Sequence, residues 1–193
     1  MLIQHLAPWK DGPVIAYRER FTDSRGSFEM IFEFGKLRES IPFFPQILQV
    51  NLLHGRYGSL RGFHWARLKE NHWKVLTVIR GSVRDAFMDV REGSPTFGVV
   101  GFLDLSSRSK CSLVIPPGFA HGMQTTNRES TSVYATNVPY SQNRELAFSP
   151  VSEGLESLWT APVTLSDRDS KAEAFTKRIS IIELPRLICK AKI

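Results

Sequence analysis

The sequence predicts an all-β fold, a sandwich or barrel, on three observations. Short segments rich in β-branched and aromatic residues recur through the middle of the chain. Gly, Pro and Ser turns separate them at close intervals, and helix signals are sparse. Lys74 to Arg80 (KVLTVIR) is such a segment and stops at Gly81. Val83 to Val90 alternates, with Val83, Asp85, Phe87 and Asp89 on one face and Arg84, Ala86, Met88 and Val90 on the other, the period of a strand. The Gly93-Ser94-Pro95 turn follows, then Val99 to Leu105. Ser112 to Ile115 runs into Pro116-Pro117-Gly118, and Ser132 to Asn137 is a further strand. Gly35 to Ser40 holds a turn or two of helix. Ser170 to Arg178 predicts a C-terminal helix capped by Ser170 and stopped before Pro185.

Composition bounds the function. A chain of 193 residues without repeats or a Pro/Gly/Ser linker reads as one domain, residues 1–193, with a C-terminal helix or tail over about 170–193. No apolar run is long enough to span a bilayer and no secretory leader is evident, so a cytoplasmic protein is expected. Cys111 and Cys189 form neither a metal spacing nor a disulfide framework. The net charge of +6 is dispersed, and acidic Glu173 and Glu183 interrupt the basic end. Nucleic acid and membranes are therefore not expected partners, while a small phosphorylated substrate suits the charge.

Three segments carry chemistry. In Leu60-Arg61-Gly62-Phe63-His64-Trp65 a glycine interrupts an apolar strand between Arg61 and His64, a pattern of bulges and close ligand approach. In Ile115-Pro116-Pro117-Gly118-Phe119-Ala120-His121-Gly122 a rigid turn delivers His121. That P-x-G-x-x-H arrangement resembles the second cupin motif. The H-x-H pair with which many cupins bind metal is missing, because Trp65 and Ala66 follow His64. No metal and no cofactor are expected. In Asp23-Ser24-Arg25-Gly26-Ser27-Phe28-Glu29 the bland reading is a hairpin with a surface ion pair, worth only ~0–1 kcal/mol.

Taken together, the segments resemble the dTDP-4-dehydrorhamnose 3,5-epimerase family. The matching runs, in order, are Asp23 to Glu29, Gln49 to Asn51, Leu60 to His64, Lys74, Asp89 to Gly98, Ile115 to Gly122, Val133 to Asn137 and Leu165 to Asp169. The resemblance implies a cupin-type jelly-roll β-barrel with short helices, usually a homodimer. It implies that His64 is the general base, Asp169 its carboxylate partner and Tyr134 the general acid. Arg25, Glu29, Gln49, Asn51, Arg61, Lys74, His121, Glu145 and Arg168 fall on positions that contact nucleotide, diphosphate or sugar, and the family usually has lysine where Arg168 stands. Ala66, the bulky loop Arg67 to Trp73 and the reduced segment Ala147-Phe148-Ser149-Pro150 depart from the family pattern. They bear on which sugar and base are taken.

The implied reaction suits these residue types. In a 4-keto sugar the hydrogens on carbons 3 and 5 are acidified by the neighbouring carbonyl. A histidine, with an ordinary pKa of ~6.5, is matched to their removal. A paired carboxylate favours the imidazolium that forms. Lys74 is a candidate to stabilise the enolate oxygen, and arginines suit a diphosphate. Three alternatives stay open: an epimerase acting at one centre or on another nucleotide sugar such as a GDP-linked one, a sugar-nucleotide-binding cupin without turnover, and a metal-dependent cupin. In a dimer, the strand around Val14 to Tyr17 is expected to contribute to the partner.

Overall fold

The computed structural model describes residues 1–67, 71–139, 141, 145–160, 162–175 and 180–183. Four short strands come first: β1 (Leu2–His5), β2 (Val14–Tyr17), β3 (Arg20–Asp23) and β4 (Gly26–Glu29). Helix α1 (Phe34–Ser40) leads to β5 (Gln49–Arg56), β6 (Leu60–Ala66), β7 (Lys74–Arg80) and β8 (Ser82–Asp89). Then follow β9 (Val99–Ser106), β10 (Cys111–Ile115), β11 (Phe119–Thr125), β12 (Glu129–Thr136) and β13 (Glu145–Ala147). A 3-10 turn (Glu156–Leu158), α2 (Asp167–Ser170) and β14 (Ser180–Glu183) close the described chain.

The strands form two six-stranded sheets, in the orders β1-β2-β10-β7-β12-β5 and β13-β6-β11-β8-β9-β14. They face one another across a core that includes Ile15, Leu76 and Leu113 from the first and Phe87, Leu103 and Met123 from the second. This is the expected all-β jelly-roll layering, built as two facing sheets; among the described residues the strands do not close into one ring. The alternation in β8 explains how one strand serves two cores. Val83 and Phe87 point between the sheets. Ala86 and Met88 point outward beneath Phe148, Leu155, Leu158 and Trp159, which cover the back of the second sheet.

Two sequence expectations need correction. Strand β2 pairs with β1 on one side and β10 on the other. Both its edges are used within the chain, so it is not available to extend a partner's sheet. Where a helix is expected from Ser170, the described residues to 175 hold only the end of the single turn α2, capped by Ser166, whose Oγ accepts the Asp169 N–H. The Ser166 cap, whose hydroxyl also donates to the Asp169 carboxylate, sets the start of the turn ahead of Ser170. Within the expected tail, Ser180–Glu183 is a strand running parallel to β9; residues 176–179 and 184–193 lie outside the described residues, as does Glu70 in the 67–73 loop. The Asp89 to Gly98 motif has a structural explanation. The buried Asp89 carboxylate accepts from the Arg91 guanidinium and from the Ser94 and Thr96 hydroxyls, closing the loop before β9.

Candidate active site

A cavity of ≈ 680 Å³ is lined by side chains from both sheets and by Thr164, Leu165, Ser166, Arg168 and Asp169, a size ordinary for a small-molecule site. The second sheet supplies His64 from β6 and His121 from β11. These residues are directly paired across the ladder, and so share a face. The first sheet supplies Gln49 and Asn51 from β5, Lys74 from β7 and Tyr134 from β12. Tyr134 lies opposite Asn51 and Leu76, and Lys74 is two residues along from Leu76 on the same face. The structure also brings Arg61, Glu145, Arg168 and Asp169 to the cavity.

Strand β6 sets His64 through its neighbour Gly62. Gly62 has φ +104, and a Cβ there would fall 2.4 Å from the His121 carbonyl oxygen. The two histidine strands therefore approach each other as closely as they do because position 62 has no side chain.

The His64 Nε2 lies 2.6 Å from Asp169 Oδ1. Burial alone would raise the Asp169 carboxyl, but the His64 ring, the Ser166 hydroxyl and the Gly62 N–H together hold it below the usual carboxylate value. An ionised Asp169 accepts the Nε2–H and leaves the lone pair on Nδ1. Ser166 fixes the carboxylate twice: its Oγ accepts the Asp169 N–H and donates to Oδ2 at 3.0 Å. The capped turn α2 is thus the device that aims Asp169.

Lys74 is buried at 3 % exposure and donates from Nζ to the His64 carbonyl oxygen at 2.9 Å. Burial pushes its ammonium down to about 8, against the pull of Glu145 and Asp85. Burial pushes the Tyr134 phenol up, and the charges of Glu145 and Asp85 add to that, so the group is a proton donor at neutral pH. His121 Nε2 sits 2.8 Å from Oδ2 of Asp85, whose carboxyl burial raises. Arg61 donates to the His54 carbonyl oxygen, and Arg168 is held by the Glu145 carbonyl and carboxylate.

Two candidates lie elsewhere. Arg25 and Glu29 belong to the β3–β4 hairpin, which pairs with neither large sheet and does not line the cavity. The Glu29 carboxylate is occupied by Arg18 and Arg20. Arg25 is 88 % exposed and bound to Asp23. Sequence reasoning missed Asp85, although the β8 alternation already put it on the same face as Val83 and Phe87. It also missed Ser59, Leu53 and Met123, cavity residues without a chemical signature. Among the described residues no group of three His, Cys, Asp or Glu side chains is placed to hold a metal ion.

Comparison with known proteins identifies the family. A profile of the dTDP-4-dehydrorhamnose 3,5-epimerases matches residues 11–177. The chain belongs to that family. The dTDP-4-dehydrorhamnose 3,5-epimerase of Mycolicibacterium smegmatis is 32% identical over 177 residues, 92% of this chain and 86% of the relative. The family fold is seen in NovW, a 4-keto-6-deoxy sugar epimerase of Streptomyces spheroides. It superposes with a TM-score of 0.83 at 28% identity, covering 90% of this chain and 87% of that one. ChmJ, a 3'-monoepimerase of Streptomyces bikiniensis solved with dTDP-quinovose, gives 0.79 at 26% identity, covering 84% and 83%. As a member of the family, the chain is an isomerase of the epimerase type.

Proposed function

We propose that the chain inverts carbons 3 and 5 of a dTDP-linked 4-keto-6-deoxy sugar, with His64 as base and Tyr134 as acid. One observation carries the reading: the Asp169-bound imidazole of His64 on one sheet faces a cavity whose other wall presents Tyr134 and Lys74. His64 Nδ1 takes the proton from carbon, and the C–H electron pair moves onto the ketone oxygen as an enolate. The Lys74 ammonium stabilises that oxygen. The Tyr134 hydroxyl returns a proton to the carbon from the opposite face, which inverts it. Exchange with solvent then removes the proton from His64 and restores the one on Tyr134. Arg61 and Arg168 supply guanidinium groups for the diphosphate.

Incubation with dTDP-4-dehydro-6-deoxyglucose in deuterated water, read by NMR, tests the reading. Deuterium is expected at both carbons. Incorporation at carbon 3 alone assigns a one-centre activity like that of the 3'-monoepimerase ChmJ, and no incorporation overturns the reading.

The enolate role of Lys74 has a pH signature. Its charge is present below about 8 and is lost above it. The rate is therefore expected to fall as pH rises through that value, and Lys74→Met is expected to be slow at every pH without that alkaline limb. A limb that persists unchanged in Lys74→Met would show that another group titrates.

The working unit is a homodimer in this proposal. Strand β5 is an edge of its sheet, and its outward residues Val50 and Leu52 are 55% and 61% exposed. Phe21 and Phe28 on the β3–β4 hairpin are also uncovered. Apolar surface beside an open strand edge suits a second copy, and in this proposal the exposed Arg25, outside its own cavity, leaves Asp23 to serve the partner's. Light scattering is expected to give a dimer, and Val50→Glu with Leu52→Glu a monomer; a monomeric unmodified chain would refute the assembly.

A further inference from the structure

We infer that Gln124 is a positioning residue for the His64–Asp169 pair: its buried amide sets the path of the segment that carries Asp169 to the cavity. The inference rests on the reading of that pair as the base.

The segment runs from the 3-10 turn to α2. It begins on an apolar anchor, with Leu155, Leu158 and Trp159 buried under the second sheet. It ends on a backbone clip, where the Thr164 N–H donates to the Gly58 carbonyl and the Leu60 N–H to the Thr164 carbonyl, both at 2.9 Å. Between these, the described residues Thr160, Pro162 and Val163 are exposed and bury no apolar side chain that could fix the chain.

Gln124 spans that gap. It lies on β11, three residues after His121, and is fully buried at 0 % exposure. Its Oε1 accepts the Thr160 N–H at 2.9 Å and the Thr160 hydroxyl at 3.1 Å. Its Nε2 donates to the Thr160 carbonyl at 2.6 Å and to the Pro162 carbonyl at 3.3 Å. A primary amide offers two donors and an oxygen with two lone pairs, and all are used here. A carboxylate could make only the accepting half, and an apolar side chain neither half. Strand β11 is itself hydrogen-bonded to β6, with Gln124 opposite Leu60. The clamp therefore refers the Asp169 segment to the strand on which His64 stands. The pair it serves is short, at 2.6 Å, and proton transfer through a positioned group is steeply sensitive to displacement.

A merely structural clamp predicts lower stability with unchanged chemistry, so the test reads chemistry. Gln124→Met keeps length and loses every bond; Gln124→Asn keeps the amide but is a methylene short. Each is compared with the unmodified enzyme and with Asp169→Asn, below the melting temperature. The 15N resonances of the His64 ring report which nitrogen is protonated. The unmodified enzyme is expected to hold the Nε2–H tautomer, and both Gln124 variants to lose that preference as Asp169→Asn does. Turnover is expected to fall by up to about 100-fold in Gln124→Met and by less in Gln124→Asn. An unperturbed His64 tautomer and unchanged kcat in the variants would overturn the inference. If Gln124→Met does not fold, Gln124→Asn decides by the same readout. Unchanged turnover in Asp169→Asn would instead overturn the base assignment, and the tautomer would still judge the clamp.

Discussion

His64→Ala is expected to lower epimerisation by at least about 10²–10⁴-fold, the range that positioned proton transfer supplies, and to abolish deuterium uptake at both carbons. Both losses share one origin, because without the imidazole nothing removes the first proton. Asp169→Asn is expected to approach the same loss by another route. The asparagine amide can donate to Nε2, which drives the ring proton to Nδ1, the nitrogen proposed to take the substrate proton. A misplaced tautomer of this kind costs about 10⁴-fold in the serine-protease triad. Nucleotide binding should survive both changes, since the contacts proposed for Asn51 and Arg61 do not involve the His64–Asp169 bond. The measurement is turnover and solvent deuterium incorporation, with ligand affinity as the control. Exchange at the unmodified rate in His64→Ala would show that the base is another group.

Tyr134→Phe is expected to separate two events that His64→Ala removes together. The enolate still forms, and the imidazolium can return a proton to the face it came from. Deuterium should therefore enter the sugar while inverted product falls by about 10²–10⁴-fold, the contribution of a lost general acid. The ratio of exchange to inversion is diagnostic. If exchange and inversion fall in step, Tyr134 acts before the enolate forms, and its role as acid on the far face is wrong.

Much of the fold was legible because strand signals are local. The β-branched run of β7 and the alternation of β8 each declare a strand within seven or eight residues. The edges of the sheets were not legible. Val14 to Tyr17 reads as a strand in isolation, but nothing in those four residues reveals that β1 and β10 flank it. The C-terminal helix misled for a related reason. Good helix formers after Ser170 carry little weight beside the Ser166 cap, and the cap is coupled to His64, which is 105 positions from Asp169 in sequence. Gln124 illustrates the remaining limit. A glutamine in a strand is chemically unremarked until a distant backbone segment is laid across it.

The site is also held by a residue with nothing to protonate, charge or donate from a side chain. At Gly62 the added methyl of an alanine would meet the His121 carbonyl at 2.4 Å and the Gly122 Cα at 2.7 Å. Both are main-chain atoms that cannot rotate away. Relief requires β6 and β11 to part, and they carry one histidine each into the cavity. In a comprehensive substitution screen, position 62 should thus register in severity beside the residues proposed to transfer protons. A search confined to reactive groups would pass over it. For anyone grafting this chemistry onto another pair of strands, the spacing between two backbones must be reproduced before either imidazole is worth installing.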